Sequence, residues 1–180
     1  MLLKEINSNG LGTKGGPNFT MTKTINLDWS KIEKLCSKVI SLIKKDKFNP
    51  EIIITIQRGG LIPATIISHT LKIRDVMVVN IKRTTSDKVN SNKIPAKILS
   101  PLDKNKVMNR RVLIVDDIIG SGETLNVLEK SINNLHPADL RKAILIKNED
   151  NFVKSSLKET IKIDYLGKTV HGWVIFPWEK

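Results

Sequence analysis

The chain has 180 residues, 40% of them hydrophobic and 27% charged, with a formal net charge of +12. Those figures fit one soluble globular domain and exclude a disordered chain. No apolar run nears the ~20 residues of a membrane span, and a single cysteine, Cys36, excludes an internal disulfide or a cysteine-rich zinc site. The cation excess points to an anionic partner: nucleic acid, a membrane surface or a phosphorylated small molecule. No basic-then-apolar secretory pattern opens the chain, so the expected compartment is the cytoplasm.

Residues 1–24 are rich in Gly and Asn without periodicity and read as a flexible leader, which leaves Met1 and Met21 both open as the start. The folded part is expected over 25–180. In "LDWSKIEKLCSKVISLIKK" Asp28 or Ser30 stands where a helix cap belongs. Ile32, Leu35, Cys36, Val39, Ile40 and Ile43 then fall at three- and four-residue spacing, the stripe of an amphipathic helix. "EIIITIQ" is a short β-branched run suited to a strand covered on both faces. "RGG" ends it, and "LIPATIISHTL" reads as a helix in which His69 is a structural residue. "DVMVVNIKR" is expected as one further strand, "RRVLIVDD" as another, "GETLNVLEKSINNL" as a helix with Leu125, Leu128 and Ile132 in the core, and "LRKAILIKN" as a strand. Alternating strands and helices predict an α/β fold with a mainly parallel central sheet flanked by helices. Between Thr84 and Asn109 the pattern lapses into a long segment; from Lys82 to Arg111 nine cations face only Asp87 and Asp103.

Ligands of open parallel sheets bind at the carboxyl ends of strands. Two glycine loops stand there: Arg58-Gly59-Gly60, and Gly120 to Thr124 in "GSGET". Glycines let backbone N–H groups approach a phosphate, the following helix start favours negative charge, and Ser121 and Thr124 add hydroxyl donors. Asp116 and Asp117 lie just before the second loop, placed to accept hydrogen bonds from vicinal hydroxyls and to stabilise a developing positive charge. Acids for ribose hydroxyls, one cradle for a 5′-phosphate and a second loop for another anion together describe phosphoribosyl pyrophosphate.

"VLIVDDIIGSGETL" resembles the 13-residue signature of the type I phosphoribosyltransferases. "LDWSKIEKL", "RGGLIPA", "AILIKN" and "WVIFPWE" are similar to the small bacterial xanthine–guanine and hypoxanthine enzymes of that family. The resemblance implies a type I phosphoribosyltransferase fold with a mobile hood over about residues 82–109 and a small base-binding C-terminal element. It implies transfer of the phosphoribosyl group from phosphoribosyl pyrophosphate to a 6-oxopurine-like heterocyclic base, with Mg²⁺. Asp116 and Asp117 would be catalytic and, with Glu179, would hold the metal, partly through water. Gln57, Arg58, Gly59 and Gly60 would bind pyrophosphate, with a cis peptide at Gln57–Arg58; Gly120, Ser121, Gly122, Glu123 and Thr124 would bind the 5′-phosphate. Lys147, Trp173, Val174 and Glu179 would form the base site. A homodimer or homotetramer is implied, with no membrane partner.

Two positions depart from the expected loop. Gly120 stands where relatives that use 6-oxopurines carry an aspartate that exchanges a proton with the purine ring. Lys147 argues for a base with a carbonyl, whereas Gly120 argues against the usual proton relay. Glu123 puts a negative charge in a phosphate loop; at a helix start it suits the macrodipole and is expected to point to solvent. The alternative function is a nucleotide-sensing regulator that binds nucleic acid through its basic surface, although no nucleic-acid-binding motif supports it. His136 and His171 lack ligand-spaced partners in the sequence and are assigned to no metal.

Overall fold

Four isoleucines and Thr55, Ile52–Ile56, form β2, and every one is buried. Such a strand must be covered on both faces, and it lies inside a five-stranded parallel sheet of order β3-β2-β6-β7-β8. The computed structural model describes residues 23–84 and 93–180. The remaining strands of this sheet are β3 (Asp75–Val79), β6 (Arg111–Ile119), β7 (Asp139–Asn148) and β8 (Tyr165–Val170). The helices are α1 (Trp29–Lys45), α2 (Leu61–Leu71), α3 (Lys104–Val107), α4 (Glu123–Asn133) and α5 (Glu149–Phe152). Among the described residues no helix is long and apolar enough to cross a membrane.

Alternation along the strands divides the core into two layers. Ile53, Leu113, Val115, Ala143 and Leu145 pack with the α1 stripe Ile32, Cys36, Val39, Ile40 and Ile43 and with Ala64 and Ile67 of α2. Ile52, Ile54, Ile56, Val112, Ile114 and Ile144 face the other way, onto Leu125, Leu128 and Ile132 of α4. Asp28 caps α1, its carboxylate accepting from Lys31 N at 2.8 Å. Cys36 is core, as its place on the stripe implies. His69, however, is exposed in the last turn of α2 rather than structural, because it lies on the face turned from the sheet.

Three expectations need correction. "DVMVVNIKR" is two strands: β3 belongs to the central sheet, whereas β4 (Ile81–Thr84) leaves it at Asn80. Asn80 N donates to Ser100 Oγ at 2.7 Å and its carbonyl accepts from Leu99 N at 2.8 Å, which turns the chain into an antiparallel ribbon with β5 (Lys93–Ile98). The aperiodic hood of 82–109 therefore contains this ribbon and α3; residues 85–92 lie outside the described residues. The acids sit within β6 and not at its end, since the ladder continues through Ile118 and Ile119. Besides β5, two strands had no counterpart in the sequence reading. One is β8; the other is β1 (Thr24–Asn26), which pairs in parallel with β9 (Trp173–Ile175). The remainder of the leader, residues 1–22, lies outside the described residues.

Strand order sets the position of the site. From β2 the chain moves through α2 to β3 on one side, then returns to β6 and proceeds to β7 and β8 on the other. The direction reverses between β2 and β6, which creates a crevice beyond their carboxyl ends. The "RGG" loop follows β2 and the "GSGET" loop follows β6.

Candidate active site

Both loops meet the acid pair at that crevice. Gly59 is packed so closely on Asp117 that a Cβ there would overlap the carboxylate. Gly60 is confined likewise: a Cβ would lie 2.5 Å from Thr55 Oγ1 and 3.0 Å from Asp116 Oδ1. Thr55, fully buried, donates from Oγ1 to Val115 O at 3.0 Å and so fixes the two strand ends together. The peptide Gln57–Arg58 is cis, as the resemblance implied. Gln57 and Arg58 are exposed at the mouth of the crevice.

Asp116 and Asp117 are partly buried beside each other. Asp116 Oδ1 accepts from Asp117 N at 3.1 Å, and Asp117 Oδ1 accepts from Ile118 N at 2.8 Å. Burial, then repulsion from Asp117, pushes the Asp116 carboxyl well above its usual range. Burial pushes Asp117 up to about 6, and the charge of Glu179 adds to that rise. Glu179 Oε2 accepts from Phe176 N at 2.8 Å, which closes the C-terminal turn on its own acid. Among the described residues no three His, Cys, Asp or Glu side chains form a preformed metal cage. A pair of crowded acids with raised proton affinity nevertheless fits Mg²⁺, which takes one or two protein carboxylates and completes its shell with water and substrate phosphates.

The second loop is shaped by the segment beyond β7. Gly122, at φ 81, caps α4, and a Cβ there would overlap Ile161. Ser155 Oγ donates to Ser121 O at 2.6 Å. Ser121 Oγ donates to Glu123 Oε1 at 3.4 Å, so Glu123 is folded over the loop, half-buried, instead of pointing wholly to solvent. Thr124 lies in the first turn of α4, half-buried. Gly120 differs from its neighbours. Its φ is not left-handed, and a Cβ would meet Asn151 Cβ at an ordinary 3.7 Å.

The sheet register brings Lys147 to the same end. Lys147 pairs with Ile119, the residue before Gly120. Its Nζ lies 2.7 Å from Glu149 Oε2 and 4.9 Å from the Phe152 ring centre. Trp173 is 44% exposed and available for stacking, whereas the Val174 side chain is buried in the core. Trp178 stacks on Phe176 at 4.6 Å and leans on Trp29 of α1, so it braces the C-terminal turn. Sequence reasoning missed Glu149, Asn148, Asp150 and Asn151. The polar run "KNEDN" immediately after an apolar strand was the available signal.

The comparisons with known proteins agree with this geometry. The family model described as "Phosphoribosyl transferase domain" matches residues 25–179. The chain belongs to the phosphoribosyltransferase family. A xanthine-guanine phosphoribosyltransferase of Cereibacter sphaeroides is 28% identical over 127 residues, 71% of this chain and 68% of that protein. Among solved structures, a purine phosphoribosyltransferase from Pyrococcus horikoshii is 26% identical with a TM-score of 0.69, covering 87% of this chain and 94% of that one. A Neisseria gonorrhoeae protein solved with bound ppGpp shares the fold at 22% identity and a TM-score of 0.76, over 89% and 91% of the two chains. The architecture is the type I phosphoribosyltransferase fold: a parallel sheet flanked by helices, with the acids and both glycine loops at one strand-end crevice.

Proposed function

We propose that this phosphoribosyltransferase moves the 5-phosphoribosyl group from phosphoribosyl pyrophosphate to a 6-oxopurine and releases pyrophosphate, with Mg²⁺, in the cytoplasm. The observation that carries the reading is the contact of Gly59 with Asp117, which joins an anion loop to a ribose-reading acid at the switch of strand order. The names of the relatives, xanthine–guanine and purine phosphoribosyltransferases, support a purine acceptor.

In this reading Asp116 and Asp117 accept the ribose hydroxyls and stabilise the positive charge that grows at C1′ as its bond to pyrophosphate lengthens. Gln57 to Gly60 hold the departing pyrophosphate with backbone N–H groups and the Arg58 guanidinium. Gly120 to Thr124 wrap the 5′-phosphate at the start of α4. Lys147 donates to the exocyclic oxygen of the base and Trp173 covers its face. Asp116 and Asp117, with Glu179 acting through water, would hold Mg²⁺, which when bound neutralises pyrophosphate charge. Most of the rate comes from positioning and fixed charge.

Pyrophosphate release from phosphoribosyl pyrophosphate and Mg²⁺ should be measured with hypoxanthine, guanine, xanthine, adenine, uracil and orotate. Release that depends on a 6-oxopurine is expected; release with none of the six overturns the reading. We further propose a homodimer or homotetramer, which light scattering of the purified chain checks directly.

A further inference from the structure

Glu149 opens α5 two residues after Lys147, and nothing in the family resemblance assigns it a role. Its Oε2 lies 2.7 Å from Lys147 Nζ. That oxygen is closed off from solvent yet has no donor aligned on it, the only such buried side-chain atom among the described residues. A carboxylate oxygen can accept more than one donor, so beside the single Lys147 ammonium the Glu149 carboxylate keeps acceptor capacity for a ligand N–H. The ammonium beside it keeps further N–H groups to give. Lys147 and Glu149 thus present a donor and an acceptor side by side.

The same short segment borders the loop that lacks its acid. Asn151 packs on Gly120, with Cβ 3.7 Å and Nδ2 4.0 Å from where a Gly120 Cβ would stand, and Ser155 holds the Ser121 carbonyl. Because Ile119 pairs with Lys147, the strand ends of β6 and β7 and the α5 turn that follows β7 lie side by side.

A 6-oxopurine in its 7H form carries an acceptor, the exocyclic oxygen, and a donor, the imidazole N–H, on one edge. That edge is the complement of the Lys147–Glu149 pair. Resting on the purine reading above, we propose that Glu149 is the catalytic proton acceptor of this enzyme, in place of the acid missing at Gly120. It accepts the imidazole N–H on the edge whose oxygen Lys147 holds. As the lone pair of the other imidazole nitrogen forms the bond to C1′, the C1′–O bond breaks and its electron pair leaves with pyrophosphate. The N–H proton passes to the Glu149 carboxylate and then to water.

Steady-state kinetics of Glu149→Gln test this, with and without Gly120→Asp. The isosteric amide keeps the shape of the turn but cannot take the proton. The expected result is a fall in kcat for the 6-oxopurine of ~10²-fold or more, with KM for phosphoribosyl pyrophosphate unchanged. Adding Gly120→Asp, whose Cβ has room, restores kcat by ~10-fold or more. A structural role alone would not produce that rescue. An unchanged kcat in Glu149→Gln overturns the proposal. So does a loss that Gly120→Asp leaves in place while Gly120→Asp alone is fully active. Wild-type protein inactive with every purine overturns the functional reading itself, and the proposal with it.

Discussion

Asn148 Nδ2 donates a buried hydrogen bond of 2.8 Å to the carbonyl of Gly172, and this bond joins the strand end that carries Lys147 to the strand start that carries Trp173. Asp150 adds two contacts to the same join, from Oδ2 to Gly172 N and from Oδ1 to His171 Nδ1, each at 2.8 Å. The two sides of the proposed base site are therefore one mechanical unit. Asn148→Ala leaves the Gly172 carbonyl buried and unpaired, which should lower stability by about 1–3 kcal/mol. KM for the base should rise while KM for phosphoribosyl pyrophosphate stays put. Denaturant titration and a kinetic split between the two substrates check both halves.

Two glycines should respond oppositely to the same added methyl group. In Gly59→Ala the new Cβ must displace the Asp117 carboxylate, because there is no free volume beside it. Misplacing a reacting group by about 1 Å can lower turnover by ~10²-fold, and that is the expected loss. Gly120→Ala meets only an ordinary contact with Asn151 and needs no left-handed backbone. It should fold normally and gain about 0.4–1 kcal/mol through a less flexible unfolded chain. Thermal melts and initial rates on the two variants decide the matter.

The acid pair gives a stability that depends on pH in a definite direction. Burial and the Glu179 charge raise Asp117 to about 6, so between the ordinary value of 3.8 and about 6 the folded chain binds a proton that the unfolded chain releases. Asp117 therefore contributes a stability penalty that grows as pH rises through that window and is complete above it. In EDTA, Asp117→Asn should melt above the wild type at neutral pH, with the difference closing towards about pH 4. The same variant should keep its fold and lose most of its turnover, since an amide neither holds Mg²⁺ well nor stabilises positive charge at C1′. Equal turnover would remove Asp117 from the ribose site.

What could be read from the sequence was whatever short spacing encodes. The α1 stripe, the all-buried β2 and the acids followed by glycines each lie within a window where periodicity or chemistry is local. The Lys147–Glu149 pair is also local, yet an acid two residues from a lysine is too common to mark a site by itself; what the sequence hides is the register that sets Lys147 beside Ile119. Asn148 and Gly172 are 24 residues apart and meet only because β7 and β8 pair. β8 was invisible for another reason: Gly167, Lys168 and Thr169 interrupt its apolar pattern, and two of them face solvent. The ribbon of β4 and β5 was hidden by its cations, which obscure the alternation Pro95, Ala96, Lys97, Ile98 between exposed and half-buried positions.

Cys36 offers a probe of ligand binding that does not depend on catalysis. It lies at 0% exposure on the inner stripe of α1, and burial pushes its thiol up to about 11. Both the missing access and the missing thiolate should keep it from reacting with aromatic disulfide reagents in the native state at neutral pH. Labelling then has to wait for an opening that detaches α1 from the sheet, and its rate reports how often that opening occurs. A ligand that binds only the closed form suppresses the opening by mass action. Phosphoribosyl pyrophosphate with Mg²⁺ at 100 times its Kd should slow labelling by ~10²-fold when closing outpaces reaction. Fast labelling of the native protein would place Cys36 outside the core. Slow labelling that the donor leaves unchanged would mean that the acid crevice does not bind it.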